Sequence, residues 1–320
     1  MDQEQPSPKP SNDLSFIFVN SRGLRAGWRL LIFIGMVGVI ASLLTLALRG
    51  FNRPRGTISE FVRYFSQMVQ QYFIFFSVWF AGWLMSRIES RPVVAYGLPL
   101  QRSALIRFFR GYVIWGFVPL ALLLVLLRTV GVFSFGNFSP LNTQMLYWAL
   151  LWGATFLSVG LFEESLFRGY AQYTLADGIG FWPAAIILSI LFGAVHMGNP
   201  GETRIGLVGA AAFGIFAAAT LWRTGDLWLA VGAHAGWDWG QSFFFGVNDS
   251  GFQAPGHLLN PSSSGPAWLS GGTVGPEGSV LCLILMALMT VLFLALNRKP
   301  PVPKLAVKTV SADVAIQPAD

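Results

Sequence analysis

Glu163, Glu164 and Arg168 sit at the end of a long apolar stretch, in the run Phe162-Glu163-Glu164-Ser165-Leu166-Phe167-Arg168. Ionisable side chains are expensive in hydrocarbon, so at such depth they are functional-site candidates by default. The chain has three histidines, and two of them, His196 and His234, also lie in hydrophobic segments. Carboxylates and imidazoles gathered inside a membrane are the parts of a hydrolytic site. One group deprotonates water and others stabilise the oxyanion that forms.

Spacing divides the roles. On a helix Glu164 and Arg168 stand at i and i+4 and form an ion pair, in which loss of either member strands the other. Glu163 points about 100° away, which leaves it free to face a cavity as a base. The alternative is a single structural cluster of all three charges. His196 follows Phe192 by one turn on the same face; a lone histidine on an apolar helix is more often a hydrogen-bonded core residue than a ligand. His234 and Asp238 are again i and i+4, so the carboxylate can orient the imidazole. Gly232 and Gly236 flank His234 and allow another helix to approach closely. Plain helix packing around a buried His–Asp hydrogen bond is the competing account. Glu163, His196, His234 and Asp238 are also the candidate ligands for a divalent metal such as zinc, which would lower the pKa of a bound water. No His-Glu-x-x-His run supports that version, and the cofactor stays unknown.

The elements that position these residues are membrane helices. Hydrophobic residues make up 54 % of the 320 and charged residues 11 %, against about a quarter charged in soluble domains. Mean hydropathy is +0.57. The uncharged run Leu30 to Leu48 is long enough to cross a hydrocarbon core of roughly 30 Å. It is too long for a cleaved signal segment. The fold class expected is all-α: a polytopic helical bundle with about eight spans, near 29–48, 66–86, 111–128, 145–173, 181–197, 205–223, 227–247 and 278–297. The organisation runs from a flexible tail (1–28) through N-terminal helices (29–128) to a catalytic core (129–248). An extracytoplasmic loop (249–277), a last span (278–297) and a disordered tail (298–320) follow. The fourth span exceeds one crossing, so it tilts or emerges into the interface. Cys282 is the single cysteine, which excludes a disulfide framework and a thiolate metal site. The net charge of +6 flanks apolar segments and forms no stripe, so it reads as topology and not as nucleic-acid binding.

Arginines and lysines cluster at 22–29, 87–110 and 298–308, whereas 129–144 and 249–277 have none. A multi-pass protein of the cell membrane with both termini cytosolic satisfies these flanks. The connector with Arg49, Arg53, Arg55 and Arg63 disagrees. Counted from cytosolic ends, Glu163, His196 and His234 lie about 10, 14 and 7 residues deep, levels that differ by about 10 Å at most. A site in the cytosolic half of the bilayer is the expectation.

Glu163-Glu164-x-x-x-Arg168, Phe192-x-x-x-His196 and His234-x-x-x-Asp238, in this order on successive apolar segments, resemble the marks of the CPBP family. These are the CAAX-type prenyl endopeptidases and bacteriocin-processing intramembrane proteases. The resemblance covers about 145–245. It implies Glu163 as catalytic base, His196 as its partner in activating water, and His234 with position 238 as the oxyanion site. Eukaryotic members typically carry asparagine at that last position. An ionised Asp238 cannot donate to an oxyanion, so it orients His234, is protonated, or binds a metal. The function implied is an intramembrane endopeptidase, labelled a metalloprotease in many members, acting on a membrane-bound or lipid-modified protein or peptide in the bilayer. Two other readings use the same residues: a non-catalytic scaffold or bacteriocin-immunity-type protein, and an ion-coupled transporter. The latter lacks the internal repeat expected of it.

Overall fold

The computed structural model describes residues 15–20, 23–49 and 59–298. Residues 1–14 and 299–320 of the two tails and the connector carrying Arg53 and Arg55 lie outside them, while the end of the first tail, read as flexible, forms described elements. A short helix α1 (Ser15–Phe18) and a hairpin of β1 (Val19–Asn20) and β2 (Gly23–Leu24) lead into α2 (Ala26–Arg49) and α3 (Glu60–Ile88). The third span is α4 (Arg102–Arg110), a π-helical segment Gly111–Phe117, and α5 (Val118–Thr129). Strand β3 (Phe133–Phe138) precedes α6 (Thr143–Glu164), which continues through the π segment Ser165–Ala171 into α7 (Gln172–Ile179). Then come α8 (Phe181–Val195), α9 (Arg204–Thr224) and α10 (Trp228–Trp239) with its π continuation Gly240–Phe245. Strand β4 (Leu259–Ser263), the short α11 (Ala267–Ser270) and α12 (Val280–Leu296) complete the described chain.

The architecture is the polytopic helical bundle expected. Among the described residues six helices are long and apolar enough to cross a membrane, and α12 is a shorter apolar one. The remaining expected span is α10, whose residues Leu229 to Asp238 are all buried. Its sequence explains that position, since alanine and glycine alternate with few large side chains and neighbours come up to the backbone. A Cβ at Gly232 would overlap the Phe108 carbonyl oxygen, and one at Gly236 the Tyr112 carbonyl oxygen. The contact is reciprocal: Gly111 and Gly116 abut the Leu229 and Ala233 carbonyls. The small-residue reading of Gly232 and Gly236 therefore holds, and the partner is the α4–π segment. By contrast α2 lies at the periphery, with 6 % of its apolar window buried.

The fourth span does emerge, extending over Thr143–Ile179. Its π segment begins one residue after Glu164 and contains a kink at Gly169 (φ −78°, ψ −117°). Single π turns inside α-helices concentrate at functional sites, and this one turns α7 onto α2 and α8. The two connectors read as irregular instead pair: β3 runs antiparallel to β4, Phe133 opposite Ser263 and Phe138 opposite Leu259. Between Ser134 and Asn137 the register shifts at Gly136 (φ +66°), where a side chain would meet the Asn260 carbonyl. Turn-rich composition concealed this sheet.

The two ends of the bundle differ in charge. At one end Arg29 bridges Glu89 (3.1 Å) and Asp177 (3.2 Å), Arg91 reaches Asp177 (3.1 Å), and Arg107 pairs with Asp226 (2.6 Å). Tyr170 donates to Glu89 at the same end. The β3–β4 sheet, the end of α8 and the 246–279 connector form the other end: Gly251 N bonds Val274 O, and Thr273 Oγ1 donates to Gly201 O. His196 closes α8 there, at the end remote from Phe181. This agrees with the count of about 14 residues from the Phe181 end. His196 shares a cavity with Asp249 and Glu277 of the 249–277 connector, so that cavity extends to this end of the bundle.

A Gly236→Val substitution forces α10 off the Tyr112 backbone and is expected to cost about 3 kcal/mol, the upper part of the overpacking range. Gly35 on α2, with nothing within 4 Å of a built Cβ, should accept valine without loss. Thermal unfolding in detergent separates the two.

Candidate active site

The site grows from α10 outward. His234, 8 % exposed, is locked from behind by the close glycine contacts of its helix. Its Nδ1 lies 2.9 Å from Glu164 Oε1, and the same oxygen accepts from Arg168 Nη1 at 3.2 Å. A carboxylate held by a guanidinium accepts, so Nδ1 carries the proton and Nε2 is the nitrogen turned to the cavity. At Nε2 stand Glu163 Oε2 (3.6 Å) and Asp238 Oδ2 (3.5 Å). Glu163 Oε2 is buried and has no hydrogen-bond partner.

Two carboxylates therefore flank the His234 ring: Glu164, from a neighbouring helix, at Nδ1 and Asp238, from its own helix, at Nε2. Glu164 joins Arg168 as expected, yet it is more than a structural partner. Arg168 is 2 % exposed and lies 4.4 Å from the Phe192 ring centre. Gly214 makes room for it, since a Cβ there would come 2.6 Å from Nη2.

His196 stands apart from this cluster. Its Nδ1 donates to the Phe192 carbonyl oxygen at 2.7 Å and its ring stacks on Phe192 at 4.8 Å, which leaves Nε2 with a lone pair. No hydrogen bond or ion pair among the described residues joins it to Glu163, His234 or Asp238. What it shares with them is a cavity of about 630 Å³, lined by all four. His257, by contrast, bonds the Leu259 carbonyl and lies outside that lining.

The cavity also gathers residues that sequence reasoning missed. Asp249 and Glu277 come from the outer connector, Glu202 precedes α9, and Gln67, Gln70 and Gln71 face it from α3. The glutamines were findable, as three amides in the first turns of an apolar span are unusual; the connector acids, set among glycines and serines, gave no signal. Glu277 is well fixed, accepting from Trp237 Nε1 (3.0 Å) and from Ser250 N and Oγ (both 3.1 Å). Burial pushes the Asp249 carboxyl well above the ordinary carboxylate range, and the nearby Asp238 and Glu277 charges add to that. Burial also raises Glu202, partly offset by the Thr203 backbone N–H.

Among the described residues, the donor group that closes to within 4.8 Å is Asp238, Asp249 and Glu277. It shares only Asp238 with the four candidate ligands. Three carboxylates without an imidazole suit a hard cation and not zinc, and two of them already accept protein hydrogen bonds. The zinc set named from the sequence is thus not the set that closes here.

Residues 143–240 match the family model described as type II CAAX prenyl endopeptidase Rce1-like. That segment contains Glu163, Glu164, Arg168, His196, His234 and Asp238, and the match supports a CPBP-family intramembrane protease, a multi-pass membrane protein. No curated protein and no solved structure matches the chain.

Because Arg168 neutralises a fully buried carboxylate, Arg168→Met should destabilise by about 3–5 kcal/mol. Adding Glu164→Gln to it should recover much of that stability in detergent unfolding. If the single and double variants unfold alike, the pair contributes no coupling.

Proposed function

We propose that the chain is an intramembrane endopeptidase in which Glu163 is the general base for an attacking water. The observation that carries the reading is the unpartnered Glu163 Oε2 at 3.6 Å from His234 Nε2, on the wall of a cavity. Glu163 takes a proton from water, the hydroxide adds to the scissile carbonyl carbon, and the carbonyl oxygen becomes an oxyanion. Glu163 then returns the proton to the leaving nitrogen as the C–N bond breaks, giving a carboxylic acid and an amine, and the acid's proton passes to the amine on release.

With Nδ1–H given to Glu164, the form of His234 that can donate to the oxyanion is the imidazolium. Its charge is offset by carboxylate oxygens at 2.9, 3.5 and 3.6 Å. His196, with Nε2 open, helps to hold the water. Asp238 positions the imidazolium from the cavity side and is not itself the oxyanion donor. The substrate class is a membrane-bound or lipid-modified protein or peptide. The arginine excess at the opposite end supports termini in the cytosol, and in that orientation the cavity reaches the extracytoplasmic side through Asp249 and Glu277.

Purified protein in liposomes, given a fluorogenic membrane-anchored peptide, should cleave it. Glu163→Gln should lower turnover about 10³-fold, and His196→Gln about 10²-fold, with unchanged thermal unfolding. Full cleavage by Glu163→Gln refutes the role, and a cellular phenotype kept by that variant favours a scaffold. In intact cells an impermeant maleimide should label Ser264→Cys and spare Ser90→Cys; the reverse pattern turns the protein over.

A further inference from the structure

Five carboxylates line the cavity, those of Glu163, Glu202, Asp238, Asp249 and Glu277, and no lysine or arginine does. The described arginines at that end, Arg63, Arg128 and Arg204, are not among its lining residues. Two of the acids accept no hydrogen bond from the described residues and have only His234 Nε2 near them, at 3.5–3.6 Å: Glu163, whose Oε2 is buried, and Asp238, 7 % exposed. Buried acceptors of this kind are costly unless an occupant supplies N–H groups. On α3, Gln70 and Gln71 lie about one turn beyond Gln67 along the wall, and the three side chains bond nothing among the described residues. A primary amide both donates and accepts, which matches the alternating N–H and C=O of an extended peptide.

We infer that the cavity takes a polypeptide segment bearing a basic side chain or amine beside the bond to be cleaved, and disfavours a segment with a free carboxylate there. The inference rests on the peptidase reading and adds the class of its substrate. A lone divalent cation fits less well. Glu277 and Asp249 already accept from Trp237, Ser250 and Ser242, while Glu163 and Glu202 stand outside the group that could hold an ion. A bare lipid chain would leave amides and carboxylates unpaired. An extended, cationic occupant satisfies acids spread over about 630 Å³, a volume within the usual range for ligand sites of roughly 300–1,000 Å³.

The test reads binding, so it does not depend on turnover. The full chain in nanodiscs of phosphatidylcholine is titrated against fluorescent peptides of one length and one apolar anchor, carrying lysines, serines or glutamates. The lysine peptide should bind about tenfold tighter than the glutamate peptide, with the gap closing as salt rises from about 0.05 to about 0.5 M. Glu202→Gln should narrow the preference, and Gln70→Lys, an exposed position on the cavity wall, should reverse it. Equal binding of lysine and glutamate peptides overturns the inference even if cleavage stands. A folded Gln70→Lys variant with wild-type preference overturns it as well. So does Mn²⁺ binding by calorimetry that requires Asp249 and abolishes the lysine preference, since the acids then serve an ion.

Discussion

The geometry of the site depends on one buried charge. Arg168 lies inside an apolar bundle with Glu164 as its 3.2 Å partner, and Glu164 in turn fixes His234. An unpaired guanidinium or carboxylate at that depth would be intolerable. The pair therefore constrains where α6, α8, α9 and α10 can lie. Phe192 places its ring under the guanidinium, Gly214 leaves the volume it needs, and the π segment after Glu164 turns the chain so that Arg168 points back. The ion pair and the imidazole orientation are one interaction seen from two sides.

Backbone proximity completes the constraint. Helix α10 packs against Gly111 and Gly116 through Gly232 and Gly236, with carbonyls in direct contact. In a membrane no hydrophobic gain drives helices together, so such close packing is what holds them. His234 thus projects from a helix with little freedom to shift, and its donor to Glu164 is pre-aligned. A preorganised dipole costs no reorganisation when charge develops.

Much of this was legible in the sequence, and the misses share a cause. Hydropathy revealed the spans, and charge in hydrocarbon pointed to Glu163, Glu164, Arg168, His196 and His234. Helical spacing says which side chains on one helix share a face. It says nothing of which residue a neighbouring helix brings, so Asp238 was legible beside His234 but Glu164, at its other ring nitrogen, was not. Asp249 and Glu277 lie in a connector whose glycines, serines and prolines announce turns only. Their proximity to Asp238 follows from the fold of the 246–279 segment over the bundle end.

The charge distribution along the bundle has its own logic. At the arginine-rich end the carboxylates Glu89, Asp177 and Asp226 have guanidinium partners within 3.2 Å, so the acids and bases cancel locally. At the other end the acids Glu163, Asp238 and Asp249 have imidazole, hydroxyl or no partners. Arg63, Arg128 and Arg204 stand at that end but none lines the chamber, whose low-dielectric walls focus the negative potential of its acids. A base that must take a proton from water benefits from the ion pairs being kept elsewhere, because a guanidinium beside Glu163 would occupy the oxygen that has to accept. Arg168 is one residue-face away, committed to Glu164, and this division is what leaves Glu163 Oε2 open.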